Sequence, residues 1–139
     1  MALTVLTQIV EQLDLILKAR IPPGTQVFRD RADAESRQEC PCVNVVVLDD
    51  ETESFSAEMD KHFVMAELEF NVRAEPATPS VEALHQAVHR FIVTDSLLLT
   101  LCESVRLAPA AFALEPADLT SQRKTVRYRF TYLIPQTTL

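Results

Sequence analysis

Glycine is almost absent from this sequence, in which Gly24 is the only one among 139 residues. Phosphate-binding loops and dinucleotide-binding turns need several glycines, because the backbone must approach the phosphates closely and adopt conformations that a Cβ atom hinders. The scarcity of glycine therefore excludes the nucleotide-binding classes that depend on such loops.

Cysteine is also scarce, and Cys40, Cys42 and Cys102 make an odd count. The opening stretch MALTVLTQIVEQLDLILKAR has acidic residues among its apolar ones, so it predicts neither a secretory signal nor a membrane span. We therefore expect reduced thiols and a cytoplasmic protein. Because a zinc site needs about four ligands, we interpret the Cys40-Pro-Cys42 pair as two structural thiols rather than as a metal or redox pair.

Basic residues are outnumbered, with 13 Lys and Arg against 20 Asp and Glu and a formal net charge of -7. A protein that neutralises nucleic-acid phosphates or anionic lipids needs an excess of Lys and Arg. The balance therefore argues against a general nucleic-acid binder or a membrane-surface protein. The hydrophobic share of 47% is typical of a globular chain, and we expect residues 1–139 to form one domain.

The spacing of apolar residues predicts both helices and strands. A three- and four-residue spacing predicts an amphipathic helix over about residues 2–20, which the IPPG motif ends. A second helix is predicted to begin at Thr78 and Pro79, and a short helical turn around SLLLTL is predicted to be capped by Asp95 or Ser96. Strands or extended segments are predicted at TQVFRD, CVNVVVLD, HFVMAELEFNVRAE, CESVRLAPAAFALEP and RKTVRYRFTYLI.

This order of elements predicts an α+β fold. Consecutive strands joined by short links favour a mixed, mostly antiparallel β-sheet. The two main α-helices are expected to pack on one face of that sheet. The polar stretch RADAESRQECP is expected to be a loop.

The last strand has a row of basic residues. In RKTVRYRFTYLIPQ, Arg123, Arg127 and Arg129 share one parity, and apolar and aromatic residues occupy the other. Glu67 and Glu69 lie on the polar parity of another strand. The arginines therefore either pair with these glutamates within the sheet or meet an acidic face of another subunit. The internal pairing is favoured and the two can coexist, so we take all five residues as the candidate subunit interface.

An acidic run follows the valine-rich strand. Asp49, Asp50, Glu51 and Glu53 lie in the stretch DDETESFSAEMDK, which predicts a long, solvated hairpin arm or loop. A block of like charges is either a solvated connection or an interaction element, and both alternatives stay open.

No set of residues predicts catalysis. Glu82, His85 and His89 are spaced to share one face of a helix, where they could hold a metal ion, but a solvated helix face is the simpler interpretation. His62 has no partner that the sequence identifies, and no serine lies in the small-residue setting of a nucleophile elbow. We predict a non-enzymatic protein without a cofactor, with a small metal-dependent enzyme as the less favoured alternative.

Several of these motifs together resemble one family. The features are the PPGTQV exit from the first helix, the acidic run, a D-x-x-L turn leading to a strand, and the closing YRFTY. The turn and strand positions are held by Asp95, Ser96, Leu97, Leu98 and Val105. The pattern is similar to the tail terminator proteins of long-tailed phages and prophages, the lambda-type minor tail protein U group. The resemblance spans nearly the whole chain and transfers no catalytic residue.

The resemblance implies a ring, expected to be a hexamer, that caps the tail tube and stops its polymerisation. Its partners would be copies of itself, the tail tube protein and the head-completion protein. It would lie in the bacterial cytoplasm during assembly and in the virion tail afterwards. Another oligomeric phage component, such as a head-completion or tube-associated subunit or a domesticated prophage remnant, is the alternative.

In such a ring, Asp49, Asp50, Glu51 and Glu53 would line the lumen. DNA passes through a tail lumen without specific binding, and negative walls avoid the contacts that hold phosphates. This assignment predicts that reversing the charge at the four positions hinders DNA passage and leaves assembly intact.

Overall fold

Three helices and six strands are formed by the residues that the structure, a computed structural model, describes. These residues are 4–21, 24–29, 42–73, 81–108, 113–118 and 121–137. Their elements are, in chain order, α1 (Val5–Arg20), β1 (Gln26–Arg29), β2 (Cys42–Ser54), β3 (Met59–Arg73), α2 (Val81–Val93), α3 (Ser96–Leu101), β4 (Ser104–Leu107), β5 (Ala113–Asp118) and β6 (Ser121–Pro135).

All six strands belong to one sheet, in the order β1-β2-β3-β6-β4. The remaining strand, β5, pairs with the first part of β6. β1 and β2 are parallel, and the other pairings are antiparallel. The prediction of an α+β fold with a mixed, mostly antiparallel sheet is confirmed.

The two main helices pack on one face of the sheet, as predicted. The hydrophobic core joins Leu13 and Leu17 of α1 and Leu84 of α2 to Leu68 of β3 and Phe130 of β6. Each of these five side chains is 0% exposed. Removing apolar surface from water stabilises a fold by about 25 cal/mol for each Å². The burial of this core is therefore the main contribution to the stability of the protein.

Strand alternation decides which side chains enter that core. The even-numbered residues of β3 between 62 and 72 are buried, and so are those of β6 between 124 and 134. Successive side chains of a strand point to opposite faces of its sheet. The odd-numbered residues of both strands therefore lie on the face turned away from α1 and α2, which we call the outer face.

The first helix begins later than predicted. The Thr4 hydroxyl accepts a hydrogen bond from the backbone N–H of Thr7 at 3.1 Å, so Thr4 is the N-cap and the helix starts at Val5 rather than near residue 2. The turn from α1 to β1 contains Gly24, whose φ of 89° is one that side chains other than hydrogen rarely permit.

The second and third helices follow the predicted pattern. Val81, Leu84, Val88 and Ile92 of α2 are buried as one stripe. Asp95 caps α3, since its carboxylate accepts from the backbone N–H of the third helical residue at 3.0 Å. The predicted start of α2 at residues 78–79 lies outside the described residues.

The acidic run belongs to a strand, so the loop prediction is wrong and the hairpin-arm alternative fits. β2 continues to Ser54, because β3 offers ladder partners along the whole run, from Asp49 opposite Met65 to Ser54 opposite Asp60. Residues 55–58 make the turn. The acidic side chains consequently have fixed directions, which a loop would not impose.

A β-bulge turns these acidic side chains to the outer face. Strict alternation from Val45, which is buried in the core, would direct Asp49, Glu51 and Glu53 to the same helix-covered face. The register shifts by one residue at Leu48, which is left without a partner across the ladder. The three carboxylates therefore share the outer face with the odd-numbered residues of β3.

One further prediction, the polar loop at residues 31–41, falls on residues that the structure does not describe. Within the described ranges, no helix is long and apolar enough to span a membrane.

We predict that Leu13→Ala lowers the free energy of unfolding by about 2–5 kcal/mol, because it leaves a cavity beneath α1. Leu15 on the same helix is 60% exposed, and Leu15→Ala should change the stability by less than about 0.5 kcal/mol. Urea unfolding of both variants measures the difference. Equal losses would contradict the burial pattern of α1.

Candidate interaction surface

Two of the predicted arginine–glutamate pairs form within the sheet. Arg127 lies opposite Glu67 in the β3–β6 ladder, and its Nε donates to Glu67 Oε2 at 3.1 Å. Arg123 Nε lies 3.5 Å from Glu69 Oε1 and donates to Asn71 Oδ1 at 3.1 Å. A cross-strand pair of this kind contributes roughly 0.2–1 kcal/mol. Four of the five predicted interface residues are therefore engaged with one another inside the protomer.

Arg129 does not pair with a glutamate, and that part of the prediction is wrong. The register places Met65 opposite Arg129, and the guanidinium carbon lies 5.8 Å from the centre of the Phe63 ring. Among the described residues, no carboxylate oxygen approaches Arg129 within 4.0 Å. Its charge is therefore balanced neither by Glu67 nor by Glu69.

A second arginine faces Arg129 from the other side. Arg106 of β4 is its partner in the β4–β6 ladder, and both side chains are exposed on the outer face. We call Arg106 and Arg129 the basic edge. Arg106 is not among the residues predicted for the interface. The alternation in Ser-Val-Arg-Leu indicates an outward arginine, but nothing in it indicates which strand lies next to β4.

The acidic counterpart lies on β2. Asp49, Glu51 and Glu53 are exposed on the outer face, and we call them the acidic edge. Within the described part of the chain, none of them has a basic nitrogen within 4.0 Å. β1 covers β2 only along Cys42–Val45, so no described strand flanks β2 beside these carboxylates.

Asp50 is separated from the other acidic residues. It shares a face with His62, whose Nδ1 lies 3.0 Å from Asp50 Oδ1, and the imidazole stacks on the Tyr132 ring at 5.0 Å between ring centres. The structure therefore gives His62 a partner that the sequence does not identify. Only the hairpin register, which the sequence does not state, brings Asp50 and His62 together.

The predicted solvated face of α2 is wrong for one of its residues. His85 is 7% exposed, and its Nε2 lies 2.7 Å from the Tyr128 hydroxyl oxygen, which also lies 2.6 Å from His89 Nδ1. A hydroxyl has one proton, so Tyr128 donates to one histidine and accepts from the other. Burial, followed by the charges of Lys124 and His89, lowers the pKa of His85 to about 4. His85 is therefore neutral at pH 7.

Glu82 bonds to a lysine rather than to either histidine, although all three side chains line one cavity. Its Oε1 accepts a hydrogen bond at 2.8 Å from Lys124 Nζ, a side chain that is only 3% exposed. Within the described residues, no group of three His, Cys, Asp or Glu side chains is arranged to hold a metal ion. The geometry gives Glu82, His85 and His89 structural contacts in place of the three-ligand set of the enzyme alternative.

The thiols in the described residues are packing groups. Cys42 and Cys102 are buried and form no disulfide with each other, and burial raises the pKa of the Cys102 thiol to about 12. A protonated thiol is a poor nucleophile. Cys40 lies outside the described residues.

Neither the known family models nor the curated proteins compared with this chain match it.

We predict that acid destabilises the protein partly through His85. The pKa of His85 is about 4 in the folded chain and about 6.5 when unfolded, so the unfolded state binds more protons between these values. The stability that His85 contributes near neutral pH is therefore lost as the pH falls from about 6.5 to about 4. The maximum loss is about 3 kcal/mol.

His85→Gln provides the matched comparison, because glutamine can still bond to Tyr128 and does not titrate. Urea unfolding of both proteins between pH 7 and pH 4 isolates the histidine, since the carboxylates contribute equally to both. The stability gap between wild type and variant should shift in favour of the variant as the pH falls. A gap that is constant over this range would show that folding does not lower the pKa of His85.

Proposed function

We propose that this chain is a non-enzymatic, ring-forming structural subunit of a phage or prophage tail, of the tail terminator type. The observation that carries the proposal is the pair of unmatched charged surfaces. The basic edge and the acidic edge are exposed, opposite in sign, and without a counter-ion in the described part of the chain. Such surfaces suit a subunit that binds another subunit, because complementary charge steers and orients association.

The arrangement of the elements also supports this class. In the resemblance to tail terminators, a helix leads through a D-x-x-L turn to a short strand, and a tyrosine-rich strand closes the chain. Asp95 caps α3, which leads into β4, and β6 contributes Tyr128 and Tyr132 to the core.

The histidines have contacts within the fold. His62 faces Asp50, and His85 and His89 share the hydroxyl of Tyr128. These contacts give each imidazole a structural role, which suits a structural subunit.

The partners proposed for the ring are copies of this chain, the tail tube protein and the head-completion protein. The ring would close with six copies, and DNA would pass through it without specific binding. Assembly would take place in the bacterial cytoplasm, and the ring would remain in the virion tail.

We predict that the purified protein stops tube growth. The assay uses the tail tube protein encoded in the same gene cluster, polymerised with and without this protein, and electron microscopy gives the tube lengths. Tubes formed in its presence should be shorter and should have one ring at an end. Native mass spectrometry should find six copies of the 15.6 kDa chain in that ring.

An acidic protein of similar size from an unrelated fold serves as the control for charge and crowding. Tubes of unchanged length with bare ends would contradict the terminator proposal. Binding along the tube wall, or to isolated heads, would favour the alternative of a tube-associated or head-completion subunit.

A further inference from the structure

The two arginines of the basic edge repel each other within the protomer. Arg106 and Arg129 are directly opposite in the β4–β6 ladder, and like charges at opposed positions of neighbouring strands are destabilising. The other arginines of β6 show how this sheet relieves such charge, since Arg123 and Arg127 each lie beside a glutamate. The uncompensated pair is therefore a local exception in a ladder that otherwise matches its charges.

The side chains of the acidic edge also repel one another, and none of them has a counter-ion among the described residues. Asp49, Glu51 and Glu53 alternate along one strand and, because of the bulge at Leu48, all point to the outer face. Their like charges repel one another along the strand. Charged side chains on an edge strand also discourage indiscriminate pairing with other strands, so a partner for this strand must supply positive charge.

The two edges are not paired within one protomer. Arg106 of β4 lies three strand spacings, about 14 Å, from β2, because β3 and β6 lie between them. Arg129 of β6 lies two spacings, about 10 Å, from β2, and it lines one small cavity on the outer face with Asp49 and Glu51. No carboxylate of the acidic edge lies within 4.0 Å of Arg106 or Arg129. Arg106 therefore lies on the margin opposite the distal half of β2, and Arg129 lies one strand inside that margin.

We propose that the acidic edge of one protomer binds the basic edge of the next copy of this chain. This inference rests on the proposed ring. A ring needs two different, complementary patches on different sides of each protomer, and the opposite margins of one sheet provide them. β4 and the distal half of β2 are each flanked on one side only by a described strand, so the two margins can approach side by side.

A second copy is the occupant that the charges favour. Nucleic acid would meet the carboxylates of the same face together with the arginines, and the chain as a whole has a net charge of -7. A copy of this chain presents both signs, with the carboxylates on β2 and the arginines on β4 and β6. Each contact made between two copies removes the repulsion in both edges at once.

This contact and the lumen assignment predict different results. If the acidic residues line a lumen, reversing their charge leaves the ring assembled. If Asp49, Glu51 and Glu53 bind the next copy, the same reversal prevents assembly. Asp50, which is bonded to His62, belongs to neither edge and should be left unchanged in the variant.

The experiment uses two complementary charge reversals in the full chain. One variant combines Arg106→Glu with Arg129→Glu, and the other combines Asp49→Lys, Glu51→Lys and Glu53→Lys. Alone, each variant presents like charges at both edges, so its self-association should weaken by about 100-fold or more. Mixed in equal amounts, the variants have matched edges again and should form oligomers in which the two chains alternate. Native mass spectrometry distinguishes the alternating assembly from each variant alone.

A control variant, Arg20→Glu with Arg90→Glu, makes the same change in net charge as the arginine pair on exposed positions of α1 and α2. It should assemble like the wild type. Because all the altered side chains are exposed, every variant is expected to fold. Circular dichroism and thermal unfolding check this.

Three results would overturn the proposed contact. The first is assembly of either charge-reversed variant alone at wild-type strength, and the second is failure of the mixture when both variants are folded. Either result, with a wild type that still forms rings and caps tubes, removes this contact and leaves the tail terminator proposal in place. The third is a wild type that stays monomeric and does not affect tubes, which would remove both.

Discussion

The antiparallel pairing of β3 with β6 positions most of the features that matter in this protein. It runs along the whole of β3, from Met59 opposite Pro135 to Arg73 opposite Ser121. One face of this ladder supplies the aromatic part of the core, and the other aligns Arg127 with Glu67. The same register sets Arg129 opposite Met65 rather than a carboxylate. A shift of one residue would exchange the two faces and expose the core, so the unmatched charge of Arg129 follows from the register that the core requires.

Much of the fold follows from the sequence because hydrophobic burial is periodic. The alternation in β3 and β6 and the three-four spacing in α1 and α2 correctly predict those elements and the face each one buries. The features that the sequence does not predict are those that depend on pairing between distant segments. The neighbour of β4, the bulge at Leu48 and the contact between Asp50 and His62 are set by register, and one strand's sequence does not state the register of another.

The candidate surface was predictable to the same extent. The parity of Arg123, Arg127 and Arg129 shows that they share a face, but it does not show that their partners differ. The structure divides them, because only two have a glutamate within reach. The helix pattern likewise places His85 beside an apolar stripe without revealing Tyr128 beneath it. The internal pairs stabilise the sheet, and the charges that they leave over are the basis for proposing contact between copies.

The proposed contact between the acidic margin of one copy and the basic margin of the next is the central claim. Intermolecular disulfide formation tests this contact most directly. Glu53→Cys combined with Ser104→Cys places one thiol at each margin and keeps Asp49, Glu51, Arg106 and Arg129. Within a chain the two positions are at least three strand spacings, about 14 Å, apart, beyond the roughly 7 Å limit for a disulfide. Mild oxidation should therefore give a reducible ladder of linked chains, whereas each single variant gives dimers at most. A double variant that assembles normally but yields no ladder would contradict the claim.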